Sequence, residues 1–140
     1  MPRPILFAII SMFFAGITAV IAKLGMKNVS GDVALAVRTT LIFALVWINS
    51  LAFRQVSELK LLTRNDLFFL GLSGLTTFLS WLFYYRAMKD GSVALVSTID
   101  KASIVVTILL SIWILKEPLT LRLAIGGALI LAGLVVLIWK

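Results

Sequence analysis

The chain consists of long apolar runs separated by short polar segments, and charged residues mark the ends of the runs. Between Arg3 and Lys23 lie 19 residues without a charge. At 1.5 Å per residue, such a run reaches across a hydrocarbon core of about 30 Å. The same pattern recurs along the chain and predicts five membrane spans, at about 4–24, 33–53, 66–86, 92–115 and 121–139.

We expect the spans to be helices, because a bilayer accepts backbone only in helices or closed barrels. Barrel strands would show about ten residues of alternating polarity, whereas these runs are continuously apolar. The predicted fold is an all-α integral membrane protein with one five-helix transmembrane domain over residues 1–140. Because the number of spans is odd, the N- and C-termini are expected on opposite sides of the membrane.

Composition narrows the possible functions. The chain is 61% apolar and 14% charged, whereas soluble domains average about 45–50% and about 25%. Its net charge of +7 comes from Lys and Arg scattered between apolar runs, so we expect no nucleic-acid partner. It has no Cys and no His, and no Gly-rich phosphate loop or nucleophile motif. We therefore predict that it is not an enzyme and that it holds no metal or cofactor.

The distribution of positive charge does not select an orientation. Near the span ends, six Lys and Arg fall on the N-terminal side and five on the other. Arg38 and Lys101 lie inside predicted spans, nearer the second side. Counting them there gives six positive charges on the N-terminal side and seven on the other. Either a folded partner or an insertase fixes one orientation, or the chain inserts both ways. In the second case, two opposite copies would pair as an antiparallel homodimer and rebuild an inverted-repeat transporter.

Three charged residues lie inside predicted spans, where each costs about 2.5–3.5 kcal/mol at a helix centre. They are Arg38 in span two and the adjacent Asp100 and Lys101 in span four. Arg38 either snorkels or lines a pocket, and Asp100 either forms a structural ion pair or serves substrate or proton coupling. Adjacent helical residues point about 100° apart, so we expect a partner outside span four. Lys23 and Arg86 are expected to snorkel.

Further side chains extend this candidate site. Ser97 and Thr107 share one side of span four with Asp100 and Lys101. Trp81 and Tyr85 share a face of span three, where they form either a pocket wall or an interfacial belt. The predicted substrate-binding or coupling residues are Arg38, Asp100, Lys101, Trp81, Tyr85, Ser97 and Thr107. Small residues on span five predict close helix packing within or between chains: Ala124, Gly127, Ala128 and Ala132.

Several segments resemble the drug/metabolite transporter superfamily, in its EamA-type, half-size, five-span bacterial and archaeal branch. The segment SWLFYYRAMKDG at 80–91 resembles the end of that branch's third span. Similar stretches are AKLG at 22–25, VRTT at 37–40, IDKAS at 99–103, LKEPLT at 115–120 and IGGALI at 125–130. Together they extend over nearly the whole chain, and the stretch joining spans four and five is the most specific.

The chain departs from the family pattern at three places. Thr98 stands where the family often has Pro before its Ile-Asp-Lys signature, and Lys116 stands where a Gly commonly precedes the loop Glu. Ala15-Gly16 replaces the Trp-Gly of the wider superfamily, which puts a pocket role for span one in doubt. Span one also lacks the buried carboxylate of the small multidrug resistance relatives, which disfavours a proton-coupled cation exporter.

The resemblance implies a half-size secondary transporter of a small metabolite such as an amino acid, amine or sugar. It would work as an exporter by alternating access, pairing with a second copy to give ten helices surrounded by membrane lipid. The expected location is the cytoplasmic (inner) membrane of a prokaryote. Two alternatives stay open: a flippase for a lipid-linked sugar, and a non-transporting membrane subunit.

Overall fold

The computed structural model of the chain describes residues 2–139. All regular structure in this range is helical: α1 (Arg3–Gly25), α2 (Gly31–Ala52), a 3-10 helix (Gln55–Leu61), α3 (Arg64–Asp90), α4 (Val93–Asp100), α5 (Ser103–Trp113) and α6 (Leu121–Ile138). Within the described residues, five segments are long and apolar enough to cross a membrane, namely α1, α2, α3, the joined α4–α5 stretch and α6. The expectation of an all-helical chain with five apolar spans is therefore confirmed.

Local sequence explains where several helices begin. The hydroxyls of Ser30, Ser92 and Thr120 each accept a hydrogen bond from the backbone amide three residues later, at the start of α2, α4 and α6. At the start of α3, the Asp66 carboxylate accepts from the Thr63 amide at 2.9 Å, and the Thr63 hydroxyl accepts from the Asp66 amide at 3.2 Å. These contacts satisfy backbone amides that have no partner within their own helix.

Most large apolar side chains point outward. Among the described residues, the buried hydrophobic ones are Met26, Leu35, Tyr85, Met88 and Leu134. Aliphatic and aromatic side chains are exposed along every span, a distribution that water would not tolerate but lipid tails solvate well. The chain is thus an integral membrane protein whose helices present apolar surface to the bilayer.

The chain divides into two compact units, with the division between Asp90 and Gly91. In the first unit, α2 and α3 approach so closely at Gly31 that a Cβ there would lie 2.7 Å from the Tyr85 carbonyl oxygen. In the second unit, α6 packs against α4 and α5. A Cβ at Gly127 would lie 3.1 Å from Ile108 Cδ1, so this glycine allows α6 to approach α5.

The fourth span differs from its prediction as one continuous helix over 92–115. It is divided into α4 and α5 at Lys101 and Ala102. The Ala102 amide donates to the Ile99 carbonyl at 2.9 Å, and the Ile104 amide donates to the Lys101 carbonyl at 3.2 Å. These bonds span three residues instead of four, so the chain passes through a short 3-10 turn.

Candidate functional site

Three predicted site residues meet in the first unit. The Arg38 guanidinium donates a hydrogen bond from Nη1 to the Tyr85 hydroxyl at 2.8 Å. Its Cζ lies 4.9 Å from the centre of the Trp81 ring and 5.6 Å from that of Tyr85. A cation over an aromatic face is attracted by the ring's quadrupole, most strongly for Trp. The cluster of Arg38, Trp81 and Tyr85 therefore holds a positive charge inside a membrane span.

Helix packing fixes the position of this cluster. Gly31 begins α2 and lies against the backbone of Tyr85, which is 1% exposed. Arg38 follows two helical turns later, about 10 Å further along α2 at 1.5 Å per residue. Because Trp81 precedes Tyr85 by four residues, both rings lie on the α3 face that α2 covers. Tyr85 is therefore buried inside the unit and Trp81 is partly buried, both close to the Arg38 charge.

The guanidinium lines a cleft of about 520 Å³ between α1, α2 and the end of α3. Side chains of α1 and α2 and of the loop between them form its walls, and most of them are aliphatic or small. Arg38 is the one charged residue among the lining residues, and the Thr18 and Tyr85 hydroxyls add polar groups. Thr18 Oγ1 donates to the Phe14 carbonyl at 2.8 Å, inside its own helix.

Within the first unit, Arg38 has no carboxylate within ion-pair distance among the described residues. The carboxylate nearest to it in sequence, Asp32, accepts two hydrogen bonds from Arg86, at 2.8 Å from Nε and 2.9 Å from Nη2. Asp32 lines a different cleft of about 640 Å³ between α2 and α3, together with Leu35, Phe43, Phe78 and other residues. Arg86 is held by this two-pronged ion pair, and its expected snorkelling to the membrane surface stays a prediction.

Two lysines close one end of the first unit. Lys23 Nζ donates to the carbonyls of Met88 at 2.6 Å and Lys89 at 2.8 Å. In return, Lys89 Nζ donates to the carbonyls of Met26 at 2.5 Å and Lys27 at 3.2 Å. Each lysine thus caps the C-terminal end of the other's helix, where backbone carbonyls lack intrahelical partners. The ammonium group of Lys23 binds protein backbone at the end of α3, and its expected snorkelling to the membrane surface stays a prediction.

In the second unit, the two predicted charges lie at the break between α4 and α5. Lys101 Nζ is 3.3 Å from Asp100 Oδ2, and the side chains are 67% and 36% exposed, respectively. Lys101 follows α4 as its C-cap, and its long side chain reaches back to the preceding residue, whereas the expected partner outside span four stays a prediction. One exposed contact at this length leaves both groups open to other partners.

The polar face of the fourth span is also changed by the break. In a 3-10 turn each residue rotates the chain by about 120° instead of about 100°. Each such residue adds about 20° to the rotation, so the break turns Thr107 relative to Ser97 compared with a continuous helix. Thr107 Oγ1 donates to the Ser103 carbonyl at 3.1 Å, which leaves its oxygen able to accept a further hydrogen bond.

The small residues of α6 fall into two groups. Ala124 and Gly127 are partly buried, and Gly127 faces Ile108 inside the unit. Ala128 and Ala132 are exposed, one turn apart on α6. Among the described residues, there is no group of three or more His, Cys, Asp or Glu that could hold a metal ion.

Sequence reasoning missed the aliphatic walls of the cleft. On α2, Val33 lies five residues before Arg38 and Val37 lies directly before it. Ile21 faces these valines from α1. Nothing in their types distinguishes them from the lipid-facing residues around them. The cleft could have been predicted from the small residues Ala22 and Gly25, which leave space beside Arg38.

Comparison with known proteins agrees with these features. The family model described as "EamA-like transporter family" matches residues 2–139. An "Uncharacterized transporter in cobO 3'region" from Sinorhizobium sp is 37% identical over 131 residues, which cover 94% of this chain and 93% of the relative. No solved structure matches the chain. With five helices that can span a membrane and a family match over nearly all its length, the chain belongs to the EamA-like transporter family and is a half-size membrane transporter, not an enzyme.

Proposed function

We propose that this chain is one half of a secondary transporter that exports a small metabolite by alternating access across a prokaryotic cytoplasmic membrane. The observation that carries the proposal is the cleft in the first unit, where Arg38 projects a charge from inside a span toward an apolar space of about 520 Å³. A charged side chain at that depth raises the free energy of membrane insertion, so its presence points to a functional role. In a transporter, binding a solute is such a role.

Asp100 and Lys101 are proposed to couple or bind solute in the second unit. They lie where the fourth span is broken, and broken helices expose backbone groups that transporters use at their binding sites. The Asp100 side chain is too short to reach the membrane surface. It makes one partly exposed contact to Lys101, so its carboxylate can accept further partners. Ser97 and Thr107 supply hydroxyls on neighbouring faces of the same span.

The complete transporter is proposed to be an antiparallel homodimer. The nearly equal distribution of Lys and Arg lets the chain insert in either orientation. An odd number of spans then allows two opposite copies to form the inverted repeat that many secondary transporters contain. Ala128 and Ala132 give α6 an exposed strip of small residues suited to close packing against another helix.

Flux into liposomes tests the transport function. Purified protein is reconstituted, and labelled amino acids, amines, sugars and organic acids are screened with empty liposomes as the blank. We expect flux of at least one solute, which Asp100→Asn abolishes and Asp90→Asn, at the exposed end of α3, leaves intact. Normal flux in Asp100→Asn would refute the coupling role. If Asp100→Asn inserts but fails to fold, its carboxylate is a structural ion-pair partner instead.

The same preparation separates the rival functions. Movement of a lipid-linked sugar with no solute flux would identify a flippase. No flux of any kind, with correctly folded protein, would identify a non-transporting subunit. Reporter fusions at the C-terminus test the orientation: signals on both sides of the membrane are expected, and signal on one side alone would refute dual insertion.

A further inference from the structure

We propose that the cleft of the first unit is a subsite for a water-soluble organic acid, with a carboxylate bound by Arg38, an apolar body and no ammonium group. This inference rests on the proposed function for its physiological role, since it names the class of solute that the transporter would accept. It concerns the α1–α3 cleft alone, and it assigns the carboxylate to Arg38 and the apolar body to the aliphatic wall.

The head group of the solute follows from the unused donors of Arg38. A guanidinium carries five N–H groups in a planar fork that matches the two oxygens of a carboxylate. In this cleft, one N–H is given to the Tyr85 hydroxyl. Contacts to Tyr85 and to the Trp81 ring orient the plane of the guanidinium before any ligand arrives. Such an oriented cation binds a carboxylate with little loss of side-chain freedom.

The charge of the solute follows from the lining. Among the described residues of its unit, Arg38 has no carboxylate partner, and Asp32 is held by Arg86 and faces another cleft. An anion would neutralise the guanidinium in an apolar setting, where a lone charge is costly. A zwitterion would also bring an ammonium group into the cleft, where no lining residue carries a negative charge. That ammonium would stay unpaired, so the geometry disfavours amino acids and amines.

The body of the solute follows from the shape of the cleft. Its volume of about 520 Å³ lies within the range of small-molecule sites, about 300–1,000 Å³. Aliphatic side chains, including Ile21, Val33 and Val37, form the wall beside Arg38. A branched or aromatic carbon skeleton would gain free energy by burial there, at about 25 cal/mol per Å² of apolar surface.

A soluble acid fits this position better than an anionic lipid does. Arg38 lies about 10 Å along α2 from Gly31, which begins the helix and, as the end of a span, is expected near the membrane surface. Lipid phosphates lie outside the hydrocarbon core, at the level of the helix ends. A phospholipid headgroup would therefore have to sink by about two helical turns to reach the guanidinium. A small acid carries no such restriction.

Three ligands with the same carbon skeleton test the inference. We would titrate 4-methylpentanoate, its neutral amide and leucine into protein in phosphatidylcholine nanodiscs by calorimetry, with empty nanodiscs as the blank. We expect 4-methylpentanoate to bind at least about 10-fold more tightly than either of the others, because an ion-paired hydrogen bond is lost in the amide and an ammonium is left unpaired in leucine. Equal binding of the amide or of leucine would overturn the proposal.

Variants locate the binding site. Arg38→Gln is expected to weaken 4-methylpentanoate by about 10- to 100-fold, and Arg38→Lys less, since lysine keeps the charge but loses the fork. Arg64→Gln, at the start of α3 outside the cleft, is the matched control and should bind normally. Undiminished binding by Arg38→Gln would refute the site. If that variant does not fold, the comparison of the three ligands on the wild-type protein still decides the matter.

Two further outcomes separate this inference from the transport function. Tight binding of the acid without any flux in liposomes would support the subsite and refute the transport function. Flux of another solute, with no binding of the acid, would refute the subsite and keep the transport function. If dioleoylphosphatidylglycerol added to the nanodiscs abolishes binding of the acid at low mole fraction, an anionic lipid occupies Arg38 and the proposal fails.

Discussion

Gly31→Ala is expected to separate the two helices on which the Arg38 cleft depends. A Cβ at position 31 would lie 2.7 Å from the Tyr85 carbonyl oxygen, 2.8 Å from the Tyr85 carbonyl carbon and 3.1 Å from the Arg86 amide nitrogen. All three are backbone atoms, so no side chain can rotate away. To reach ordinary contact at 3.4 Å from 2.7 Å, α2 and α3 must move apart by about 0.7 Å.

The expected cost is that of overpacking a close contact, about 1–3 kcal/mol. The higher helix propensity of alanine returns at most about 1 kcal/mol. Because that gain applies to helix interiors and Gly31 is the first residue of α2, the net destabilisation should stay within about 1–3 kcal/mol. A shift of this size also stretches the 2.8 Å hydrogen bond from Arg38 to Tyr85 toward the limit of such bonds. Binding of an organic acid in the cleft should weaken together with stability.

Unfolding of the purified protein in mixed detergent micelles measures the effect, with the helical circular dichroism signal as the readout. Gly74→Ala is the matched control, because a Cβ there meets nothing within 4 Å and the residue lies inside α3. That control should unfold like the wild type or at slightly harsher conditions. If both variants unfold together with the wild type, the close approach of α2 and α3 at Gly31 is refuted.

Three further predictions concern contacts elsewhere in the chain. Lys89→Met should lower the free energy of unfolding by about 1–3 kcal/mol in the same assay, because the charged hydrogen bonds to the Met26 and Lys27 carbonyls are lost. The control Lys27→Met should change the free energy of unfolding little, because the Lys27 backbone carbonyl accepts that bond and its side chain does not take part. A double-mutant cycle of Asp32→Asn and Arg86→Gln should give a coupling close to the error of the unfolding assay, because both side chains are about half exposed; a coupling well above that error would mean that the pair is buried in the assembled protein. Lys116→Gly should raise the free energy of unfolding by about 1 kcal/mol, because Lys116 has φ 58° and glycine adopts this left-handed conformation without a steric cost. An unfolding midpoint equal to or below that of the wild type would contradict backbone strain at Lys116.

The spans could be predicted from the sequence because apolar length alone encodes them. Charges, glycines and cap residues such as Ser30 and Thr120 mark the helix ends, and these signals act within a few residues of the chain. The 3-10 turn at Lys101 was missed because the stretch around Asp100 and Lys101 contains no Gly or Pro, the residues that usually mark a break in a helix. Its presence changes which hydroxyls align and allows Lys101 to reach Asp100.

The candidate site could be predicted only in part. Arg38 stood out because charged residues are uncommon inside a membrane, and Trp81 and Tyr85 because they share one face of span three; the structure brings the three together. The lysine contacts of Lys23 and Lys89 could not be predicted, because they join backbone carbonyls of helices more than 60 residues apart in the chain. Long-range packing of this kind depends on how the helices approach, which no local pattern records.

The Lys116 position illustrates how a departure from the family pattern acquires a physical meaning. The family commonly has glycine before the loop Glu, and this chain has lysine there. The backbone at this position is left-handed, a conformation that glycine adopts freely and lysine does not. The departure therefore marks a locally strained loop and not a different fold.

Counterflow in liposomes tests directly whether the protein transports an organic acid that Arg38 binds. Liposomes that contain the protein are loaded with unlabelled solute, and uptake of a labelled organic acid such as 4-methylpentanoate is followed against empty liposomes. We predict protein-dependent uptake that Arg38→Gln and Asp100→Asn abolish and Arg64→Gln retains. Uptake that is the same in all three variants, or no greater than in empty liposomes, would contradict this prediction.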